Sequence, residues 1–174
     1  MSGLRDRVRD DESPLQRLLD FIPGFRGYRE RELRRRADQL LRDHLVGLLD
    51  GARAKLRHFA GKLSRAGRLA ALEALDRAIG LLTKVRDKLR YADYGYTGWF
   101  DTPQIREEEL DRVYEYDLSL REFIATIQAR VDACVGADEA GLAAALHELE
   151  EAIGQLEEMI DRRGEVIARL LPET

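Results

Sequence analysis

The side chains best suited to chemistry in this sequence are three histidines and one cysteine. His58 and His147 fall at one level if the chain folds into successive antiparallel helices, and two imidazoles with a glutamate can hold a metal ion. The Glu-x-x-His pairs that di-iron carboxylate bundles use are absent, however. Cys134 ends a helix in an acidic part of the chain, which raises rather than lowers a thiol pKa.

No catalytic motif accompanies these residues. The sequence contains no glycine-rich phosphate loop, no His-Glu-x-x-His and no nucleophile elbow. We therefore expect no catalytic residue, no metal and no cofactor, and a protein that is not an enzyme.

Asp117 is a charged residue at a position that the helical repeat predicts to be inside. If the turns are centred near residues 65, 98 and 136, it shares a layer with Gly51, Gly80 and Gly154. Glycine inside a helix costs about 1 kcal/mol relative to alanine. The layer indicates either a narrow section of the bundle around a buried carboxylate, or close helix packing with Asp117 reaching solvent.

Arg163 interrupts the apolar repeat of the last helix. The same layering brings it together with His44, Arg86 and Glu109. A buried charge must be paired. We therefore expect Arg163 to contact Glu109 or another carboxylate, and Asp117, Arg163, His44 and Arg86 are our candidates for buried polar residues.

The elements that must position these residues are helices, because apolar residues recur at helical spacing and no segment alternates with period two. The fold class predicted is all-α, an elongated antiparallel four-helix bundle with a short N-terminal helix. A flexible stretch over 1–12 precedes a single domain over 13–174. Its helices are predicted at 14–21 and at about 28–64, 67–92, 103–134 and 138–171.

Each long helix has a predicted inward stripe. The last one fits a heptad. The stripes of the first, second and last long helices include Leu41, Leu45, Leu48, Ala52, Phe59 and Leu63, then Leu69, Leu72, Leu75, Ile79, Leu82 and Leu89, then Leu142, Leu146, Leu149, Ile153, Leu156, Ile160, Ile167 and Leu170.

Aromatic residues concentrate where the bundle is predicted to have one end. The glycine-containing loop 91–100 holds five of the twelve aromatic residues, and the layering sets it beside segment 21–28 and a run of arginines. As a plug, this corner would bury Trp99 and Phe100 and leave Tyr94 and Tyr96 partly exposed. As a docking surface, it would present aromatic anchors beside arginine. The candidate interaction residues are Phe25, Tyr28, Arg34, Arg35, Arg36, Tyr94, Tyr96, Trp99 and Phe100.

The charge is divided between the two halves of the chain. Residues 1–90 hold 22 basic and 13 acidic residues, whereas residues 91–174 hold 7 and 20, within a net charge of −4. One cysteine excludes a disulfide scaffold, and no apolar run approaches the ~20 residues of a membrane span. The N-terminus lacks the apolar run of a signal peptide, so we expect a cytoplasmic protein. The arginine, alanine and leucine usage suggests a bacterial source.

Three functions fit this pattern. The first is a non-catalytic scaffold or protein-interaction module that self-associates through opposite charges. The second is a peripheral membrane protein that uses the N-terminal helix and adjacent arginines, although Asp10, Asp11 and Glu12 oppose this. The third is a nucleic-acid binder through the basic first hairpin, against which the acidic second half and a pI near 5.5 argue. We favour a protein partner, with a second copy of the chain as one candidate, over a membrane surface or a nucleic acid.

Overall fold

The computed structural model describes residues 30–92 and 107–170, with the side chains of 30–38, 107–110, 168 and 170 outside the description. The described residues form four long helices. They are α1 (Glu30–Arg65), α2 (Leu72–Tyr91), α3 (Glu107–Gly136) and α4 (Glu139–Leu170), with a 3-10 turn (Leu69–Ala71) before α2. The prediction of an all-helical chain is confirmed over these ranges. The predicted N-terminal helix at 14–21 lies outside them.

Local chemistry explains where the helices end. Gly67 has a φ of +72°, a left-handed conformation that glycine adopts without a Cβ clash. The amide of Arg68 donates to the Leu63 carbonyl and that of Gly67 to the Ser64 carbonyl, which is a Schellman C-cap. At the other turn, Asp138 accepts a hydrogen bond from the Gly141 amide at 2.8 Å and so caps the start of α4.

The four helices bury one continuous apolar core. Each packs chiefly on two others: α1 and α4 both contact α2 and α3. The heptad of α4 is confirmed at the positions that the structure describes, where the buried residues are Leu142, Leu146, Leu149, Ile153, Leu156, Ile160 and Ile167. The side chain of Leu170 lies outside the description. One predicted core position is wrong: Leu69 is 65% exposed because it belongs to the turn that precedes α2. Leu48 is partly buried against the core, and the neighbouring Leu49, which was not predicted, is fully buried.

Among the described residues, no helix combines the length and apolarity that crossing a membrane would require.

Candidate functional site

The most deeply buried charges form one ion pair between α3 and α4. Arg163 Nε lies 2.5 Å from Asp117 Oδ1, and Arg163 Nη2 lies 3.0 Å from Asp117 Oδ2. The two side chains are only 6% and 2% exposed. This two-pronged geometry matches the planar guanidinium to both carboxylate oxygens, which is the strongest form such a pair takes. The charges therefore satisfy each other inside the bundle.

The ion pair confirms one prediction about these residues and contradicts another. Arg163 does contact a carboxylate, as predicted, and that carboxylate belongs to Asp117; the Glu109 side chain lies outside the described residues. The expectation that Asp117 reaches solvent is wrong, since it is 2% exposed. Sequence reasoning separated the two residues because its assumed turn set α3 and α4 about one to two helical turns out of register.

Further polar groups lie near this pair. Arg42 and Tyr114 are also buried, at 6% and 4% exposure. The Tyr116 hydroxyl donates a 2.7 Å hydrogen bond to the Met159 carbonyl, and burial raises the pKa of Tyr116. These residues place polar atoms within a core that is otherwise apolar.

The glycines predicted to share a layer with Asp117 do not surround it. Gly51, Gly80 and Gly154 are all exposed. A Cβ added at any of them would meet nothing within 4 Å. They therefore form neither a narrow section around the carboxylate nor a close contact between the described helices. The layer was wrong because it aligned positions by the turns alone, without the facing direction of each residue.

The neighbours found for His44 and Arg86 differ from those that the layering predicts. Arg86 donates to both carboxylate oxygens of Asp50, at 3.1 and 3.3 Å, and to Asp87. His44 is half-buried, and desolvation together with the charge of Arg121 lowers its pKa. The turn between α1 and α2 is centred near residue 68, midway between Asp50 and Arg86, rather than near residue 65. Arg86 therefore lies at the level of Asp50 and not at that of His44.

His58 and His147 are both exposed. His147 lies 3.5 Å from Glu151 on its own helix. In the part of the chain that the structure describes, no three histidine, cysteine or carboxylate side chains are grouped to hold a metal ion. Burial raises the pKa of Cys134 to about 11, in the direction expected, although apolar surroundings rather than acidic neighbours are the cause.

A ladder of ion pairs joins α2 to α4, and sequence reasoning missed it. Arg77 lies 3.5 Å from Glu150, Lys84 lies 2.9 Å from Glu157, and Lys88 lies 2.6 Å from Asp161. Each acid follows its base by 73 residues. The hydrogen bond from Lys84 lowers the pKa of Glu157, against a smaller opposing effect of burial, and a second bond from Lys88 adds to it. The signal in the sequence is the constant separation of 73 residues between each base and its acid, which can be recognised only when the register of α2 against α4 is known.

Two more pairs bridge the same halves of the chain. Lys55 of α1 lies 2.6 Å from Asp132 of α3, and Arg68 lies 2.6 Å from Glu139. In these pairs and in the ladder, every base comes from the first half and every acid from the second. At least part of the charge division seen in the sequence is therefore neutralised by ion pairs between the two halves of a single chain.

The aromatic corner lies outside the described residues. This applies to Phe25, Tyr28, Tyr94, Tyr96, Trp99 and Phe100. Arg34, Arg35 and Arg36 fall in the first turns of α1, but their side chains lie outside the description too. The choice between a plug and a docking surface stays a prediction.

Comparison with known proteins adds no relative. No protein-family model, no curated protein and no solved structure matches this chain.

Proposed function

We propose that this chain is a non-catalytic helical scaffold, an elongated antiparallel four-helix bundle that works by presenting charged outer faces to a protein partner, including a second copy of itself. A cytoplasmic location fits this proposal, because the single cysteine is a buried free thiol rather than half of a disulfide.

The pairing of side chains supports an antiparallel arrangement of α1 with α2. Between α1 and α2, the contacts Asp50–Arg86 and Arg53–Thr83 step forward on one helix and back on the other. The contacts of α2 with α4 instead keep a constant offset of 73 residues, as parallel neighbours would. At 1.5 Å per residue, the 36 residues of α1 give a rod about 54 Å long.

The observation that carries the scaffold proposal is the contrast between interior and surface. The core is filled by apolar side chains, and its most buried charges, Asp117 and Arg163, neutralise each other. The exposed charge is abundant and divided by sign between the halves of the chain. A partner would therefore bind the charged outer surface, and a partner surface of opposite charge would favour association.

The solution mass of the purified chain tests this proposal. Self-association through exposed charges should weaken with salt, because the screening length falls to about 10 Å at 0.1 M and about 3 Å at 1 M salt. Light scattering at low and high salt should show an oligomer that dissociates as salt rises. A monomer under both conditions would refute the proposal that the scaffold self-associates.

A further inference from the structure

The contacts of the described helices support a parallel course for α1 and α3. Tyr116 of α3 contacts Met159 of α4. Arg130, further along α3, contacts Glu148, which lies further back on α4, so these two helices run in opposite directions. The constant offset of 73 residues makes α2 and α4 parallel, and α1 runs opposite to α2. It follows that α1 and α3 run in the same direction.

The seam between α1 and α3 joins opposite charges at one level and two basic side chains at another. Lys55 of α1 lies 2.6 Å from Asp132 of α3. His44 precedes Lys55 by eleven residues. Arg121 precedes Asp132 by eleven residues as well. Eleven residues make about three turns of a helix, so each residue lies on the same side of its helix as the member of the ion pair that follows it. His44 and Arg121 therefore face each other across the seam.

The second of these contacts is the more enclosed. His44 and Arg121 are half-buried, whereas Lys55 and Asp132 are 55% and 59% exposed. Desolvation lowers the pKa of His44, and the charge of Arg121 lowers it further, as its place across the seam requires. A neutral imidazole is compatible with the guanidinium, but an imidazolium sets two like charges together where little water can screen them.

The acids of α3 near this contact point elsewhere. Asp117 lies one turn before Arg121, and its carboxylate binds Arg163 within the core. Glu122 is exposed and lies about 100° further round α3 than Arg121, because successive residues of a helix differ by that angle. Among the described side chains of α3, Arg121 is thus the charged group that faces His44.

The charged groups of α1 and α2 near this level lie on the other flank of α1. Asp43 differs in direction from His44 by about 100° and lies seven residues, or about two turns, before Asp50. Asp50 marks the side of α1 that packs on α2, because it binds Arg86. Arg42 is buried in the core. In the described part of the chain, neither helix therefore sets a carboxylate against His44 to offset the repulsion.

We propose that His44 and Arg121 form a pH-sensitive contact, which allows α1 to pack on α3 while the imidazole is neutral and loosens that packing when the imidazole takes up a proton. The loosened region includes the turns of α1 and α3 on either side of these two residues. It adjoins the buried ion pair, because Asp117 lies one turn from Arg121. This inference does not depend on the proposed scaffold function.

The direction of the pH effect follows from the lower proton affinity of the closed seam. In an opened or unfolded chain, His44 takes up a proton near the ordinary pKa of 6.5, whereas the closed seam resists protonation to a lower pH. The stability that the neutral imidazole contributes is therefore present above pH 6.5 and declines as the pH falls below that value. Once the pH is below both pKa values, the opening equilibrium has risen about tenfold for each pH unit between them.

Histidine variants test this proposal cleanly, because the chain has three histidines. We expect the denaturation midpoint of the wild type to fall between about pH 7.5 and about pH 5.5, a window above the ordinary pKa values of Asp and Glu. His44→Gln keeps a polar side chain that cannot become charged, so it should remove most of that fall. His58→Gln is the matched control, since His58 is on the same helix but exposed, and it should keep the fall.

Two further measurements locate the effect. In a nuclear magnetic resonance titration, the imidazole of His44 should titrate below 6.5, and Arg121→Gln should raise its pKa, because the nearby positive charge is removed. Hydrogen exchange, corrected for its intrinsic pH dependence, should become faster over 40–48 and 118–125 at about pH 5.5 than at about pH 7.5. The segment 81–88 of the α2–α4 ladder should show no such increase.

Several results would overturn the proposal. A wild-type midpoint that does not change over this window shows that the contact is insensitive to pH. If His44→Gln retains the wild-type dependence, or if His58→Gln loses it, then His44 is not the responsible group. A pKa of His44 that Arg121→Gln leaves unchanged removes the arginine from the argument. Faster exchange in 81–88 to the same extent as in 40–48 shows general unfolding instead of a loosened seam.

Discussion

The buried ion pair offers the sharpest test of how this bundle is held together. Asp117→Ala removes a carboxylate that binds the Arg163 guanidinium, only 6% exposed, through two hydrogen bonds of 2.5 and 3.0 Å. Removing one partner of a buried pair costs about 3–5 kcal/mol, because the remaining charge stays desolvated. For a chain of this size, 1 kcal/mol shifts the melting temperature by about 2–4 °C. We therefore expect a fall of about 6–20 °C.

The adjacent arginine provides the control. Arg162 pairs with Glu158 at 3.4 Å on the same helix, but both side chains are about two-thirds exposed. Glu158→Ala should change the free energy of unfolding by at most about 0.5 kcal/mol, as exposed i,i+4 pairs do. Urea denaturation of both variants, with calorimetry for the melting temperature, measures the difference.

A double variant tests whether the loss of stability in Asp117→Ala comes from the charge that remains on Arg163. Replacing both partners, as in Asp117→Leu with Arg163→Met, removes the desolvation cost of both charges, and such swaps are often neutral or stabilising by about 1–4 kcal/mol. We expect it to recover much of the loss caused by Asp117→Ala. If Asp117→Ala costs no more than Glu158→Ala, the reasoning that the charges are buried and mutually dependent is refuted.

Three further outcomes follow from individual residues. Glu157→Gln, which removes the charged acceptor of Lys84 and Lys88, should lower the free energy of unfolding by about 1 kcal/mol at neutral pH and by less at high salt. The pKa of Glu157 is lowered from 4.5 in the folded chain, so the greater stability of the wild type is present above pH 4.5 and is lost as the pH falls through the folded pKa. Denaturation at several pH values measures this. Gly80→Ala should raise stability by about 1 kcal/mol, because the site is an exposed helix interior with open space around the added methyl group; an unchanged or lower denaturation midpoint would contradict this. Cys134, fully buried and with a pKa of about 11, should resist a thiol reagent at pH 8 in the native chain and react completely in denaturant, and rapid native labelling would show that α3 opens there.

Secondary structure and most of the core could be predicted from the sequence. The spacing of leucine and isoleucine residues in α4 specifies one inward stripe, and the structure buries that stripe. Gly67 and Asp138 mark turns because one adopts a positive φ and the other accepts an amide at a helix start. These are local interactions, so the identity of a few neighbouring residues suffices to predict them.

The partners of the charged residues could not be predicted in the same way. The sequence indicates that Arg163 needs a carboxylate, but an error of a few residues in the assumed turn assigned Asp117 to a different layer. The layer around Gly51 failed for a second reason: a level along the rod says nothing about which way a residue faces. Register and facing direction depend on how whole helices pack, which no short segment encodes.

The sequence by itself determined that the described ranges are helical, that Gly67 and Asp138 lie at turns, that the two halves of the chain carry opposite charge, and that a charge within the apolar repeat must be paired. Only the tertiary structure decided that Asp117 is that partner and that the bases of α2 face the acids of α4 at a constant offset. The reason is physical: hydrophobic burial is non-directional and tolerates several registers, whereas an ion pair requires two particular atoms within a few ångströms.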